Sequence, residues 1–459
     1  MSRANTVLET PLTSLDHVEL TPLPPLNAAQ ESETPTVTQN KDSLKRDWRL
    51  LFRFISCGVS FFVAGVNDGS LGALLPYVIR SYGLTTAIAS SVYAANFLGW
   101  LTSALVNTHL SQHLDLGALL ALGAALQIAA QALRAWTTPF PLFVATFWLT
   151  SVGQAFQDTH ANSYVAGASK GAHNLLGFIH ACYMAGCLLA PFAASPVAAA
   201  REPSVWYLSY AVSAGLGVVN LLMCVVAFRD SVGMKSSGPR SAGDDASMSE
   251  DEPRRQAATR LLQKTLKQSS LWYISVFFFF YLGMTLTASG WVVEYLVDVR
   301  DGDLDRVSYV PAGFSGGCLL GRLLLPEPTH RYGERLMGTI YLVICLGVQL
   351  VFWFRVPNII AASIAISVFG FFSGPLFAAA MSVGSRLFPS ETRSTALALV
   401  FVFAQMGGSL FPIVTGLLST SVGVWVLQPM LVSLIAVTIV TWFIIPKPKD
   451  SQNDELHQE

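Results

Sequence analysis

Twelve stretches of this chain are each apolar for about 20 residues, the length a helix needs to cross a bilayer. Six lie at about 51–78, 86–109, 116–135, 140–165, 172–196 and 204–228, and six at about 271–297, 307–325, 336–354, 358–385, 392–419 and 423–446. A polar interruption at 229–270, carrying "KSSGPRSAGDDASMSEDEPRRQ", separates the two sets. Lipid offers backbone N–H and C=O groups no partners, so a chain patterned this way must satisfy them inside helices that pack on one another. The expected fold is an all-α membrane protein with twelve transmembrane helices in two pseudo-symmetric six-helix bundles. The domains are then an unstructured cytoplasmic tail at 1–50, a bundle at 51–228, a cytoplasmic linker loop at 229–270, a bundle at 271–446 and a tail at 447–459.

Composition agrees and removes other classes. Hydrophobic residues make up 52% and charged residues 12%, against about a quarter charged in soluble domains. A net charge of −1 gives no basic field for a nucleic-acid partner. All six cysteines sit in apolar segments without CxxC or Cys/His spacing, so neither a disulfide frame nor a metal site is expected. The first fifty residues have no apolar run after a basic start, so no cleavable signal peptide is expected.

An even number of spans places both termini on one side, and Lys and Arg choose it. With the termini cytoplasmic, 22 of the 28 fall on the inner face, and only Arg80, Arg134, Arg201, Arg300, Arg306 and Arg355 fall outside. Both termini and the central loop are expected in the cytoplasm, with the plasma membrane as the default location. An internal echo supports two related halves: "MAGCLLAP" at 184–191 against "QMGGSLFP" at 405–412, where Gly186/Gly407, Leu189/Leu410 and Pro191/Pro412 coincide.

Ionisable groups inside spans are costly, which makes them functional candidates. Asp68 lies in "FFVAGVNDGSLGALLPY" beside Asn67, with no Lys or Arg on the same helix near enough to neutralise it. It can hold a proton and release it when the cavity opens to water. The competing reading makes it the cap of a broken helix, because Gly65, Gly69 and Gly72 flank it. In the fourth span Ser151, Gln154, Asp158 and Asn162 recur at one-face spacing. This donor and acceptor set suits a hydroxylated solute, while interhelical hydrogen bonding is the alternative for Ser151 and Gln154. His160 and His180 are secondary candidates for titration. Glu294 is another secondary candidate, which can also simply reach the headgroups; Trp291 is either an interfacial anchor or a stacking platform for a sugar ring, and Gln405 a ligand contact or a packing residue. "GFSGGCLLG" at 313–321 matches a hydrolase GxSxG pattern but has no strand before it, so its Gly313, Gly317 and Gly321 read as a helix-packing face. No nucleotide motif is present, so no cofactor is expected and pumping energy must come from a gradient.

The segment "GRLLLPEPTHRYGERL" at 321–336 resembles the basic inter-helix loop of the major facilitator superfamily, and "SRLFPSETRSTALAL" at 385–399 resembles another recurrent element of it. The first-half counterpart "HLSQHLDLGAL" keeps Asp115 and Gly117 but lacks the arginines. The resemblance covers about 50–446 and implies a gating loop bearing Arg322, Arg331 and Arg335. "VNDGSLGALLPY" and "GQAFQDTHANSYV" are similar to the two segments where the fucose permease branch and fungal permease-like members place an acidic pair, here Asp68 and Asp158. Thr285 stands where the fungal pattern carries Glu. The resemblance implies a transporter and no enzyme: a monomer taking up a sugar-like solute with protons through alternating access. Asp68 and Asp158 would couple the proton, with Asn67, Ser151, Gln154, Asn162, Trp291 and Gln405 at the solute. Proton-antiport efflux of a secondary metabolite is an alternative, on the likeness of "GCLLAPFAAS" to the antiporter element and an interior rich in Phe. A transporter-like sensor is another, on the acidic run Ser249 to Glu252 in the central loop.

Overall fold

In the computed structural model the described residues are 37–168, 172–233, 260–355, 358–389 and 391–446. Twelve long helices run through them: α1 (Val37–Tyr82), α2 (Ser91–His113), α3 (Leu116–Arg134), α4 (Phe140–Ala166), α5 (Ala172–Ala199), α6 (Ser209–Ala227), α7 (Ser269–Asp298), α8 (Val310–Leu324), α9 (Glu334–Arg355), α10 (Ile359–Leu387), α11 (Arg393–Val422) and α12 (Leu427–Ile444). Their order and bounds follow the twelve apolar stretches. Helix α1 begins earlier than expected, inside the segment read as an unstructured tail. The rest of that tail, the C-terminal tail and most of the central loop, including Ser249 to Glu252, lie outside the described residues. The chain divides into two units, Met1–Trp48 and Arg49–Glu459, and all twelve apolar stretches belong to the second.

Nine of the described helices are long and apolar enough to cross a membrane by length and composition. The other three are informative: α8 is short, while α2 and α4 carry polar side chains such as Asn96, Gln154 and Asp158 along apolar helices.

Backbone contact through small residues sets the helix positions, since lipid supplies no hydrophobic drive for one helix to prefer another. A Cβ on Gly65 would stand 2.0 Å from the Tyr183 carbonyl oxygen, and one on Gly186 would stand 2.2 Å from that of Phe62. Helices α1 and α5 therefore touch main chain to main chain. The Gly313, Gly317 and Gly321 face does the same against α10, where Cβ atoms on Gly317 and Gly321 would each meet a carbonyl oxygen at 2.0 Å.

The two halves meet asymmetrically. At the end where α1 finishes, called distal here, four hydrogen bonds among the described residues join them. Tyr77 Oη donates to Asp305 at 2.9 Å; Thr86 Oγ1 donates to the Gly416 carbonyl and pairs with Thr420 Oγ1, both at 2.9 Å; the Ala87 amide also donates to Thr420. At the proximal end the polar contacts among the described residues stay within a half. Arg53 binds Asp230 and the Ala227 carbonyl, Lys264 pairs with Glu391, and Glu334 receives Ser382 and Arg386.

The stretch expected as a gating loop is mostly helical. Arg322 lies in the last turn of α8, a short helix follows at Pro326–Tyr332, and Gly333 turns the chain at φ 91° into α9. Arg331 is exposed, with its guanidinium 5.7 Å from the Tyr332 ring centroid. Arg335 ties the start of α9 to the carbonyls of Phe443 and Ile445 at the end of α12.

Candidate functional site

Helix α1 passes unbroken through Asn67 and Asp68, so Asp68 does not cap a helix break. Asp68 is intermediate in burial as a residue, and its carboxylate accepts three hydrogen bonds of 2.9 Å. Asn67 Nδ2 donates to Oδ1, while Gln154 Nε2 of α4 and Tyr183 Oη of α5 donate to Oδ2. The glycine contact between α1 and α5 is what brings Tyr183 within reach.

Behind Asn67 lies a fully buried cation that the loop reading had placed outside the membrane. Arg134, at the end of α3, has no exposed surface. Its Nε donates to Thr146 Oγ1 at 2.6 Å, its Nη2 to Thr150 Oγ1 at 2.8 Å and its Nη1 to Asn67 Oδ1 at 3.0 Å. The guanidinium carbon sits 3.6 Å from the Phe147 ring centroid and 5.3 Å from that of Tyr210. Gln131 Nε2 gives Asn67 Oδ1 a second bond at 2.8 Å. Arg134 and Asp68 thus share one amide, with the cation on its oxygen and the carboxylate on its nitrogen. Burying an ion without such partners would cost several kcal/mol, and stacking on an aromatic face returns about 2 kcal/mol when desolvated.

Two patterns in the sequence point to this cluster. Thr146, Thr150, Gln154 and Asp158 recur every fourth residue on α4, and Gln127, Gln131 and Arg134 follow i, i+4, i+7 on α3. The expected stripe on α4 was partly misdrawn, because Ser151 turns to Asn96 Oδ1 of α2 at 2.9 Å. Asp158 is partly exposed one turn beyond Gln154 and within Coulombic range of Asp68, but has no hydrogen bond or ion pair among the described residues. Asn162 is partly exposed further along.

The remaining candidates separate from this cluster. Trp291 is fully buried, donates Nε1 to the Pro412 carbonyl at 3.0 Å and packs beside Tyr93, so it is neither an interfacial anchor nor an open platform for a sugar ring. Glu294 is buried, with Oε2 lacking a hydrogen bond, and does not reach outward as a headgroup contact would. His160 Nε2 pairs with Asn107 of α2 at 2.8 Å. His180 stands edge-on to Phe61 at 5.3 Å and tilted to Phe377 of the second half at 6.0 Å. Gln405 is partly exposed on α11. Among the described residues no group of His, Cys, Asp and Glu has a metal-binding arrangement.

Two six-helix halves joined at the distal end, with a charged cluster buried in the first of them, define a polytopic helical membrane protein. The chain belongs to the Major Facilitator Superfamily, whose family model matches residues 57–364 and 329–459. It is similar to the Saccharomyces cerevisiae "Bypass of stop codon protein 6", with 23% identity over 421 residues covering 86% of this chain and 82% of that protein. The fold is similar to that of a bacterial homologue of the human lysosomal transporter Spinster, solved inward-facing and unoccupied. There the TM-score is 0.68 at 13% identity, over 87% of this chain and 96% of that one. It is also similar to a D-xylose-proton symporter, with TM-score 0.64 and 13% identity over 87% and 99% of the two chains.

Proposed function

We propose that this transporter moves a small hydroxylated organic solute together with protons by alternating access, and that Asp68 is the group that loads and releases the proton. The observation that carries this reading is the set of three donors on one carboxylate at membrane depth. Asn67 and Gln154 offer amide N–H groups there, which cannot accept a hydrogen bond, whereas Tyr183 can reverse its hydroxyl. The ionised form is matched to this arrangement; a proton on Oδ2 forces Tyr183 to turn and accept, and disturbs Gln154. Protonation is thereby linked to the contact between α1 and α5.

Distal closure supports the same cycle. With both termini cytoplasmic the distal end would face outward, and this arrangement would correspond to the inward-facing stage of the cycle, after proton release. Solute and proton entering together from outside would reset the other state, with the two halves rocking about the site between them. The plasma membrane and a monomeric working unit complete the proposal. Its sugar-like solute rests on the likeness of the Asp68 and Asp158 segments to the fucose permease branch and on a solved relative that is a xylose-proton symporter.

The test is reconstitution of the full chain in liposomes holding a pH dye, with sugars and sugar-derived metabolites added outside. Solute-driven proton entry that disappears in Asp68→Asn, while solute exchange persists, is the expected result. Proton-dependent transport unchanged by both Asp68→Asn and Asp158→Asn refutes the mechanism.

A further inference from the structure

The second half also holds a cation along one of its spans, beside a residue that the first half touches. Arg322 leaves α8 toward α10, where its Nε donates to the Gly374 carbonyl at 3.2 Å and its guanidinium carbon lies 5.7 Å from the Phe377 ring centroid. These contacts fix the plane of the guanidinium without neutralising it. Among the described residues no carboxylate lies within ion-pair distance of Arg322, and the side chain is partly exposed. Its surroundings belong to both halves. His180 of α5 packs 6.0 Å from the Phe377 ring that Arg322 faces, and Tyr183, one turn further on the same helix, donates to Asp68. Helix α5 thus touches both sites, through Tyr183 at Asp68 and through His180 at the Phe377 ring beside Arg322.

An unpaired guanidinium at membrane depth is costly and normally finds an anion. A fork already held through Nε is prepared to take a planar carboxylate on its outer nitrogens, in the geometry that makes such pairs strong. Asp68 does not supply that carboxylate, because Asn67, Gln154 and Tyr183 hold it on the first half. We infer that the solute itself is an organic anion, a hydroxycarboxylate whose carboxylate binds Arg322 while its hydroxyl-bearing end faces Gln154 and Asp68. This inference rests on the transport reading above and narrows its substrate class from sugars to acids of the sugar type.

The test uses the full chain, purified and reconstituted, with D-gluconate and D-glucuronate as probes against the neutral D-sorbitol and D-glucose. The two acids are expected to raise the thermal midpoint of the wild type in detergent and to drive proton movement in liposomes, with the neutral compounds ineffective at equal concentration. Arg322→Gln should raise the acid concentration needed by about tenfold to a hundredfold, the loss of a charged hydrogen-bonded contact. Arg322→Lys, which keeps the charge and loses the fork, should fall between. Neither acid acting on the wild type overturns the inference, as does Arg322→Gln responding to acids like the wild type. Neutral D-sorbitol or D-glucose acting on the wild type as well as the acids do also overturns it. Proton-coupled transport of a neutral sugar, lost in Asp68→Asn and intact in Arg322→Gln, would leave the transport mechanism standing and remove only the anion.

Discussion

Replacing Asp68 by Asn separates the structural from the functional work of this carboxylate. The substitution keeps shape but turns one acceptor oxygen into a donor. If the new amide nitrogen faces Asn67 it meets the Nδ2 that now donates at 2.9 Å, and Asn67 cannot turn over because its Oδ1 already takes Gln131 and Arg134. The tolerable orientation therefore keeps the oxygen toward Asn67 and directs the nitrogen at Tyr183 and Gln154, where the hydroxyl rotates and the Gln154 amide flips. Hydrogen bonds to a charged group contribute about 1.5–3 kcal/mol each, so exchanging three of them for neutral ones should cost roughly 2 kcal/mol. Asp158, with no hydrogen bond to lose, should tolerate the same change within about 0.5 kcal/mol. Thermal unfolding of the two variants in one detergent measures the difference, and solute-driven pH change in liposomes measures coupling. The expected pattern is a lowered midpoint for Asp68→Asn alone, with coupling lost there. Equal midpoints for Asp68→Asn and the wild type, or equal losses in the two variants, would refute the assignment of these donors.

Arg134→Met should destabilise the chain by about 3 kcal/mol, since it strips Asn67, Thr146 and Thr150 of a charged donor at a buried site; Arg134→Lys should rescue little, because the three N–H groups of an ammonium diverge from one nitrogen and cannot reach acceptors spaced for three separate guanidinium nitrogens, and midpoints in detergent check both. Trp291→Phe removes the bond to Pro412 and should cost about 1 kcal/mol while leaving solute KM unchanged, whereas a rise in KM would show that the indole meets the solute. Thr86→Cys with Thr420→Cys places two thiols where hydroxyls now stand 2.9 Å apart. Oxidation should hold the distal end closed and stop uptake, and dithiothreitol should restore it; unimpaired uptake by the cross-linked protein would refute closure at that end as a step of the cycle.

The fold was legible because lipid imposes one rule on every span, and the apolar lengths report it directly. Asp68 and Gln154 were legible for the complementary reason that polar groups in such spans need partners. Their partners were harder to find. Tyr183 has an ordinary aromatic setting in sequence, and it reaches Asp68 only because glycines on α1 and α5 bring two backbones together. Ser151 shares the face of Gln154 on a helical wheel, yet an asparagine on α2 takes it. Trp291 looks amphipathic beside Tyr295, and its burial follows from tertiary packing against α11, which periodicity does not encode.

Arg134 shows the limit of reading charge by position. It stands at the end of an apolar run, next to Pro139 and the start of another span, where a loop cation is the natural expectation. Its spacing from Gln127 and Gln131 carries the contrary signal, since three polar side chains on one face of a membrane helix need a polar neighbour along its length. That neighbour is α4, whose Thr146, Thr150, Gln154 and Asp158 repeat every fourth residue. Asn67 then decides how the cation acts. A direct pair between Arg134 and Asp68 would fix the carboxylate in its ionised form and oppose every proton transfer. With one amide between them, the cation stabilises the cluster at a distance, and the carboxylate keeps an oxygen that Tyr183 can serve in either protonation state. The prediction specific to this arrangement is that Asn67→Asp, which puts a carboxylate oxygen where Nδ2 now donates to Asp68 at 2.9 Å, should trap a proton between the two carboxylates and slow proton-coupled transport more than solute exchange. Equal slowing of both in the liposome assay would show that Asn67 serves the helix packing alone.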